Sequence, residues 1–262
     1  MDLQLKGKTA LVLAASKGLG KAIAMALAAE GADIVIGSRD QRELESTANE
    51  MRSKHNASVL AVPVDVSKAA DVENFVQQSV KEFARIDILV NNAGGPPFGK
   101  FESFDDSAWH TAFELNLMSA VRLSRLTVPY MRKTGSGRII NIVSLSVKTF
   151  LENSVLSTSI RMGVVGMAKM LSNELGPDNI TVNNVAPGTL LTDRIKETMF
   201  KNIPPGKTEN DVLAGRAKEI PLRRIGKPEE LAALVAFLAS PLAGYITGTT
   251  IQVDGGAVKA PY

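Results

Sequence analysis

The first glycine-rich segment of the chain has residue types that could hold a phosphate group. It reads LAASKGLG over residues 13–20 and stands between an apolar run and an amphipathic stretch. Glycines at a strand-to-helix turn let the backbone approach a pyrophosphate closely, and the first helical turn offers free N–H groups and the positive end of the helix dipole. The spacing predicts a dinucleotide site, although two glycines after a strand also fit an ordinary turn.

The end of the second predicted strand carries positive rather than negative charge. It reads Gly37-Ser38-Arg39, and the first carboxylate follows only at Asp40. A site for NAD usually places an acidic side chain here to accept from the ribose 2′-hydroxyl, whereas a site for NADP places cations here. The pattern therefore favours NADP(H); the alternative is that Arg39 and Lys17 are ordinary solvated surface cations.

A parallel sheet would bring these residues together. Apolar runs alternate with amphipathic stretches along the whole chain, which predicts seven strands separated by helices with right-handed crossovers. The predicted fold is a single-domain α/β Rossmann-type fold, doubly wound, whose seven-stranded parallel sheet has helices on both faces. The predicted strands cover residues 9–13, 33–37, 59–63, 86–91, 138–143, 180–185 and 249–253, and the predicted helices cover residues 18–30, 40–54, 68–84, 105–133, 157–175 and 228–239.

One long segment has no regular periodicity. No linker, repeat or low-complexity segment divides the chain, so residues 1–262 are predicted to form one domain. Residues 187–226 exceed ordinary loop lengths, and such loops are usually functional. We therefore predict a substrate lid at about residues 188–226. Its apolar residues Met199, Phe200 and Ile203 favour a hydrophobic or mixed carbonyl or alcohol over a highly charged substrate, although they could equally pin the segment to the body.

The composition excludes several classes of function. The 262 residues are 45% hydrophobic and 22% charged with a formal charge of +3, which is typical of a soluble globular protein. The absence of cysteine excludes disulfides, thiolate catalysis and thiolate metal sites, and the two histidines are far apart in sequence. Scattered basic residues argue against nucleic-acid binding, and no apolar run approaches the ~20 residues of a membrane span. We expect a cytoplasmic protein with no metal, nucleic-acid or membrane partner.

Further motifs follow the other predicted strands in an order that resembles the short-chain dehydrogenase/reductase family. Asp65-Val66 follows the third strand, Asn91-Asn92-Ala93-Gly94 ends the fourth, and Pro187-Gly188 with Thr192 follows the sixth. GKPEE at residues 226–230 and VDGG at residues 253–256 also stand where the family has them. The resemblance covers essentially the whole chain, and the ordered set is far more specific than any one motif.

The resemblance implies a complete cofactor site. The first two of these motifs would hold the adenine side of the dinucleotide, the third would line the nicotinamide, and Lys17 would be a second cation for the 2′-phosphate. The chain departs from the family at Leu13 and Ala14, where a threonine and a glycine are usual. The predicted cofactor-binding residues are Ala15, Ser16, Lys17, Gly18, Leu19, Gly20, Ser38, Arg39, Asp65, Val66, Asn92, Ala93, Gly94, Pro187, Gly188 and Thr192.

Four positions correspond to the family's catalytic residues, and two of them carry unusual residues. The family uses an asparagine, a serine, a tyrosine and a lysine, where this chain has Asn116, Ser144, Ser157 and Arg161. By resemblance, Ser144 would hydrogen-bond the substrate carbonyl as charge develops there. Asn116 stands among apolar residues, which indicates a kinked helix or a site that holds water. Each residue also has a structural alternative. Ser144 could simply end its strand, Asn116 could be a helix residue with a local hydrogen-bond partner, and Ser157 could cap a helix.

The exchange of tyrosine for Ser157 removes the usual proton donor. An aliphatic hydroxyl is a far weaker acid than a phenol, and a guanidinium does not deprotonate to relay a proton. A positioned acid contributes about 10²–10⁴-fold to the rate, whereas the larger benefit of hydride positioning would remain. Other proton sources are Lys148 and Ser146 in the loop after the fifth strand, or a bound water. Tyr130 and Tyr245 fit structural roles better, and Tyr262 ends the chain.

These features favour an enzyme. The leading hypothesis is an NADP(H)-dependent oxidoreductase of the short-chain type that transfers hydride between nicotinamide and a carbonyl or alcohol, with an atypical proton donor. By resemblance the substrate could be a 3-oxoacyl thioester, a sugar or another small ketone. The main alternative is a catalytically inactive NADP(H)-binding sensor or structural protein; a lyase or isomerase that uses the cofactor structurally is a weaker one. The resemblance also implies a homotetramer, or a homodimer, formed through the helices at 105–133 and 157–175.

Overall fold

A parallel sheet forms the centre of the computed structural model, which describes residues 1–201 and 203–259. Its strands are β1 (Thr9–Leu13), β2 (Asp33–Ser38), β3 (Val59–Pro63), β4 (Ile88–Asn91), β5 (Gly137–Ile142), β6 (Ile180–Pro187) and β7 (Thr250–Val253). They lie in the order β3-β2-β1-β4-β5-β6-β7, and each pairs with its neighbours in parallel. The order reverses between β1 and β4, and a crevice suited to a ligand opens at such a point. The predicted fold class is confirmed.

Helices cover both faces of this sheet. They are α1 (Gly18–Ala29), α2 (Gln41–His55), α3 (Ala69–Phe83), α4 (Asp106–Phe113), α5 (Ser119–Thr134), α6 (Val155–Glu174), α7 (Asp193–Phe200), α8 (Glu209–Lys218) and α9 (Pro228–Ala239). None of the helices in the described residues is long and apolar enough to cross a membrane. The predicted helix starting at Asp40 is confirmed within one residue, because the Asp40 carboxylate caps α2 by accepting from the Glu43 N–H at 2.9 Å.

Two apolar clusters fill the space between sheet and helices. Ala10 and Val12 of β1 face α1, α2 and α9, whereas Leu11 and Leu13 of the same strand face α3, α5 and α6. Every residue of β1 is buried. Burial on both faces explains why this strand is a continuous apolar run without alternation, as is usual in parallel sheets.

The long helix predicted over residues 105–133 is interrupted. A π-helical segment, Glu114–Met118, joins α4 to α5. Such segments occur mostly as single turns within α-helices and often at functional sites. Asn116 lies in this segment and is buried, so the irregularity predicted at this residue is present.

Two predictions about the segments near the site were wrong. Residues 187–226 are not irregular throughout, since they contain α7 and α8, which begin after the capping residues Thr192 and Thr208. These helices have only 8 and 10 residues and bury no residue completely, so their apolar pattern is too short to be distinguished from a loop. The alternative role of Ser157 as a helix cap is also wrong, because α6 begins at Val155 after Ser154 and Ser157 lies in its first turn.

An asparagine ladder crosses four strands. Asn91, Asn141, Asn184 and Thr250 stand side by side in register on β4, β5, β6 and β7. Each amide nitrogen donates to the next residue, at 2.8 Å, 2.9 Å and 3.1 Å in that order. The ladder replaces part of the apolar core directly below the carboxyl ends of these strands.

Candidate active site

The glycine loop after β1 leaves no room for side chains at one position. A Cβ on Gly20 would lie 2.2 Å from the carbonyl oxygen of Ala14, so only glycine fits there. Gly18 has a φ of +59° and Ala14 a φ of +49°, both in the left-handed region. That region costs a residue with a side chain roughly 1–2 kcal/mol. This backbone requirement explains why a glycine is usual at position 14, and alanine meets it at a cost.

Hydroxyl groups connect the loop to the end of β2. Ser38 Oγ donates to Ser16 Oγ at 3.0 Å, and Thr47 Oγ1 donates to the Ser16 carbonyl at 2.8 Å. Sequence reasoning missed Glu43, whose carboxylate accepts from Ser16 Oγ at 3.3 Å and lies 3.6 Å from Lys17 Nζ. Glu43 lies in the first turn of α2, beyond the strand end whose charges indicate the cofactor. The signal that could have found it is that this turn folds back over the glycine loop.

The predicted adenine side contains an acid and a cation in proximity. Asp65 Oδ1 accepts from Ser67 Oγ at 2.7 Å and from the Ser67 N–H at 3.1 Å. Burial would raise the pKa of Asp65, but the hydrogen bonds from Ser67 and the charges of Lys68 and Arg39 together lower it. The exposed Arg39 therefore lies close enough to Asp65 to act on it electrostatically.

The loop after β4 is tied to the glycine loop. Asn92 Nδ2 donates to the carbonyl of Leu13 at 3.2 Å and lies 3.5 Å from that of Ala14. Thr192, the N-cap of α7, reaches the same crevice from the other side, since a Cβ on Gly18 would lie 3.7 Å from Thr192 Cγ2. The sheet thus brings the ends of β1, β4 and β6 to one edge, and the residues predicted to bind the cofactor stand at or after strand ends at that edge.

Ser144 stands at the same edge, two residues after the end of β5. Its Oγ accepts from the Ser146 N–H at 3.2 Å, which leaves its O–H free to donate into the crevice. Ser146 itself is buried, and its Oγ has no hydrogen-bond partner within the described residues. Lys148 follows at the end of this short turn and is half-buried.

Arg161 lies below Ser144 and points into the protein. It is only 8% exposed. One guanidinium nitrogen, Nη1, donates to the backbone carbonyls of Ile142 (3.2 Å) and Val143, and the other, Nη2, donates to Asn116 Oδ1 at 2.9 Å. Burial, together with the positive charge of Arg194, lowers the pKa of Arg161 to about 10, so the group stays protonated near neutral pH.

A small cavity adjoins this guanidinium. Its volume is about 20 Å³, and Asn91, Asn116, Asn141 and Arg161 are among its lining residues. A space of this size accommodates one water molecule, given polar groups to bind it. Within the described residues Arg161 Nε and Asn91 Oδ1 have no hydrogen-bond partner. The polar lining fits the water-holding character predicted for Asn116.

Ser157 lies one helical turn before Arg161 on α6 and is half-buried. Residues four apart lie on the same face of a helix, so its hydroxyl is on the side of α6 that faces β5. Tyr130 is partly buried in an apolar cluster with Lys133 Nζ 5.3 Å from its ring, which agrees with a structural role. Tyr245 is fully exposed, so its burial does not support the structural role predicted for it. Tyr262 lies outside the described residues.

Sequence reasoning also missed Arg194 in the first turn of α7. Its Nη2 donates to the Pro96 carbonyl at 3.2 Å, so it crosses from α7 to the loop after β4. No motif marks an arginine two residues after Thr192, and only the fold brings it to the site. No group of three or more histidine, aspartate or glutamate residues in the described part of the chain is placed to hold a metal ion.

Comparison with known proteins finds many relatives of this chain. Residues 13–258 match the family described as enoyl-(acyl carrier protein) reductase. The short-chain reductase protein NovJ of Streptomyces niveus is 35% identical, over 94% of this chain and 92% of its own. The NADPH-dependent reductase BacG of Bacillus subtilis is 35% identical, over 97% and 98%. The structure of L-sorbose reductase from Gluconobacter frateurii, complexed with NADPH and L-sorbose, has a TM-score of 0.95 and 35% identity over 99% of this chain and 100% of its own.

Proposed function

The chain belongs to the short-chain dehydrogenase/reductase family, and on that premise we propose that it is an NADP(H)-dependent oxidoreductase that transfers hydride between nicotinamide and a carbonyl or alcohol. The observation that carries the proposal is the convergence of the glycine loop, Asn92, Ser144 and Thr192 at one edge of the sheet. The relatives named for their use of NADPH or solved with it support the choice of cofactor.

The residues at this edge fit NADPH. The cations Lys17 and Arg39 and the hydroxyls of Ser16 and Ser38 form a donor set suited to a 2′-phosphate. The only carboxylate that directly follows β2, Asp40, is engaged in capping α2. The N–H groups at the start of α1 would face the pyrophosphate. NADPH supplies the hydride when it is bound.

The protein's own residues would polarise the carbonyl. The free O–H of Ser144 donates to the carbonyl oxygen and stabilises the negative charge that develops as hydride arrives. Arg161 donates to the carbonyl of Val143, the residue before Ser144, and so holds the end of β5 that carries Ser144. We assign Arg161 a positioning role, because Nη1 and Nη2 of its guanidinium both donate to acceptors within the protein.

The proton would come from an atypical source. Ser157 is too weak an acid and too short to replace a phenol. We propose Lys148 or a water beside it as the donor, because it is the half-buried ammonium of the turn that begins at Ser144. The substrate class includes 3-oxoacyl thioesters, sugars and other small ketones.

The test is NADPH oxidation by the purified protein against ketones, aldehydes, sugars and oxoacyl thioesters, with NADPH binding measured in the same samples. Turnover of any carbonyl supports the proposal. Binding of NADPH without turnover across the panel contradicts it and favours the second candidate, a non-catalytic NADP(H)-binding protein. The observation that favours this candidate is the inward orientation of Arg161, which leaves the position beside Ser157 without an acid.

We also propose a homotetramer or homodimer that forms through α4, α5 and α6. Large apolar side chains on α4 and α6 are solvent-exposed in the single chain: Phe113, Met162 and Met170 are 37%, 48% and 61% exposed. An interface between subunits would cover such side chains. Light scattering after size-exclusion chromatography measures the assembly, and a monomer at micromolar concentration would contradict the proposal.

A further inference from the structure

Arg194 is a cation in the crevice that has no carboxylate within ion-pair distance among the described residues. Its guanidinium packs against the backbone of Gly94 and Gly95, where added Cβ atoms would lie 3.6 Å from Nη1 and 2.8 Å from Nη2. Its one hydrogen bond in the described part of the chain is to the Pro96 carbonyl. The adjacent Asp193 lies 4.0 Å from Lys196 instead. No ion pair of Arg194 is found among the described residues.

The surroundings of Arg194 are unfavourable for an isolated charge. Burial lowers the pKa of Arg194, and the charge of Glu197 on the next helical turn acts in the opposite direction. The positive charge of Arg194 in turn acts on the buried Arg161. Arg194 therefore places a second, partly buried positive charge near the inward-pointing Arg161. Desolvated cations are costly unless paired, so this arrangement favours the entry of an anion.

We infer that Arg194 binds an anionic group of the substrate, so that the protein acts on carbonyl compounds that carry a carboxylate or a phosphate. The inference rests on the proposed function, because it assigns the reacting carbonyl to Ser144 and the anionic group to Arg194. A planar guanidinium suits both anions, since it can donate two parallel hydrogen bonds.

The rest of the substrate would be apolar. Phe98 and Phe101 follow β4, Phe150 follows β5, and these three side chains are 51%, 68% and 89% exposed beside the same edge of the sheet. The apolar lid residues agree with a hydrophobic or mixed substrate. Arg194 refines that expectation: the substrate would carry one anionic group, bound by Arg194, and the apolar side chains would contact the rest of the substrate.

The pyrophosphate of NADPH is the other anion that could reach this arginine. The glycine loop and the start of α1 already offer donors to that group, and they lie at the end of β1. Arg194 contacts the loop after β4 instead, on residues 94–96. The experiment therefore measures substrate preference and NADPH affinity separately.

The experiment compares pyruvate, acetoacetate and levulinate with their methyl esters in the purified full chain. The variants are Arg194→Met, Arg194→Lys and Lys196→Met, the last being a matched removal of one positive charge from the same helix. In the wild type, kcat/KM for the acids should exceed that for the esters. Arg194→Met should reduce this preference by about 10- to 100-fold, as expected for the loss of a charge-assisted hydrogen bond, and Arg194→Lys should retain part of it. Lys196→Met should leave it unchanged.

Two results would overturn the inference. One is an acid preference that is absent in the wild type or survives in Arg194→Met. The other is a weaker NADPH affinity in Arg194→Met with an unchanged preference, which would assign the arginine to the pyrophosphate.

A binding arm separates this inference from the proposed function. If no carbonyl is reduced, the proposed function fails, and calorimetric titration of the same acids and esters into the NADPH-loaded protein tests the inference alone. Binding of an acid that depends on Arg194, and not on Lys196, supports it. Equal or absent binding of acid and ester contradicts it.

Discussion

Arg161 and Asn116 are joined by a direct hydrogen bond, with Nη2 of the arginine 2.9 Å from Oδ1 of the asparagine. The same guanidinium donates to the last carbonyl of β5 and to the carbonyl that follows it. One side chain therefore connects α6, the π-helical segment and the strand end that carries Ser144. Arg161 is thus an internal cross-link of the fold.

Arg161→Met should destabilise the fold, because it leaves three buried acceptors without their donor. The expected loss in the free energy of unfolding is about 2–4 kcal/mol, since each unsatisfied buried group costs about 1–3 kcal/mol and partial relaxation recovers some of it. Urea unfolding followed by the fluorescence of Trp109 measures it.

Two variants check this explanation. Arg161→Lys keeps a cation and should recover part of both the stability and kcat/KM. Arg42→Met, at an exposed position of α2, should change stability by less than about 0.5 kcal/mol. Equal losses in Arg161→Met and Arg42→Met would show that the cross-link contributes nothing.

Glu43→Gln should strengthen NADPH binding. Glu43 lies 3.6 Å from Lys17 and accepts from Ser16, so it competes with a 2′-phosphate for both groups. Removal of its charge should lower the Kd for NADPH about twofold to fivefold, in line with exposed charge interactions of up to about 1 kcal/mol. Fluorescence titration measures this Kd.

NADH serves as the matched ligand in that titration because it lacks the 2′-phosphate. Its Kd should not change in Glu43→Gln. Arg39→Ala should act in the opposite direction and weaken NADPH binding alone. A parallel change for both cofactors would show that the site does not discriminate through these charges.

Ser157→Tyr should raise carbonyl reduction. A phenol is a much better acid than an aliphatic hydroxyl, and the positive charge of Arg161 one helical turn away favours its ionised form. We expect kcat to rise by about tenfold or more, as for a restored general acid. Ser157→Phe supplies the ring without the hydroxyl and should give no gain. If Ser157→Tyr lowers an existing activity, the native centre uses a chemistry of its own.

Glu50 should contribute to stability only above acidic pH. Hydrogen bonds from Lys21 and Lys54 lower its pKa from 4.5 to about 2. Because the folded-state pKa lies below the unfolded value, the contribution is complete above the unfolded pKa of 4.5 and is lost as the pH falls towards 2. The stability difference between wild type and Glu50→Gln should stay below about 1 kcal/mol at neutral pH, because the group is near the surface, and should vanish at low pH. Urea midpoints of both proteins across this range measure it; a difference that grows with acid would contradict the explanation.

The sheet could be predicted from the sequence because its strands are buried and the turns between them are marked. Thr9–Leu13 and Val59–Pro63 match their predicted bounds. The short helices α7 and α8 were missed, since each is too short to stand out from a loop and neither buries a residue completely. Motif spacing likewise identified the strand ends that form the crevice.

Side-chain direction was the part that the sequence could not provide. The resemblance drew attention to Arg161, but its inward orientation depends on carbonyls at the end of β5 that only the packed structure brings near. Glu43 reaches the site from α2, where the sequence predicted only a helix cap, and Arg194 reaches it from α7, within the segment predicted as a lid. Their functions depend on tertiary proximity and not on spacing along the chain.

The asparagine ladder has a consequence for how the strands find one another during folding. Each amide of Asn91, Asn141 and Asn184 meets its partner only when four strands are aligned residue for residue. A slip of one residue in β5 would place Ile140 or Ile142 where Asn141 stands. The polar groups of Asn91 and Asn184 would then lack partners in an apolar interior, at a cost of about 1–3 kcal/mol for each. The ladder therefore disfavours misaligned sheets. It fixes the register of β4, β5, β6 and β7, and with it the relative positions of the strand ends that form the crevice.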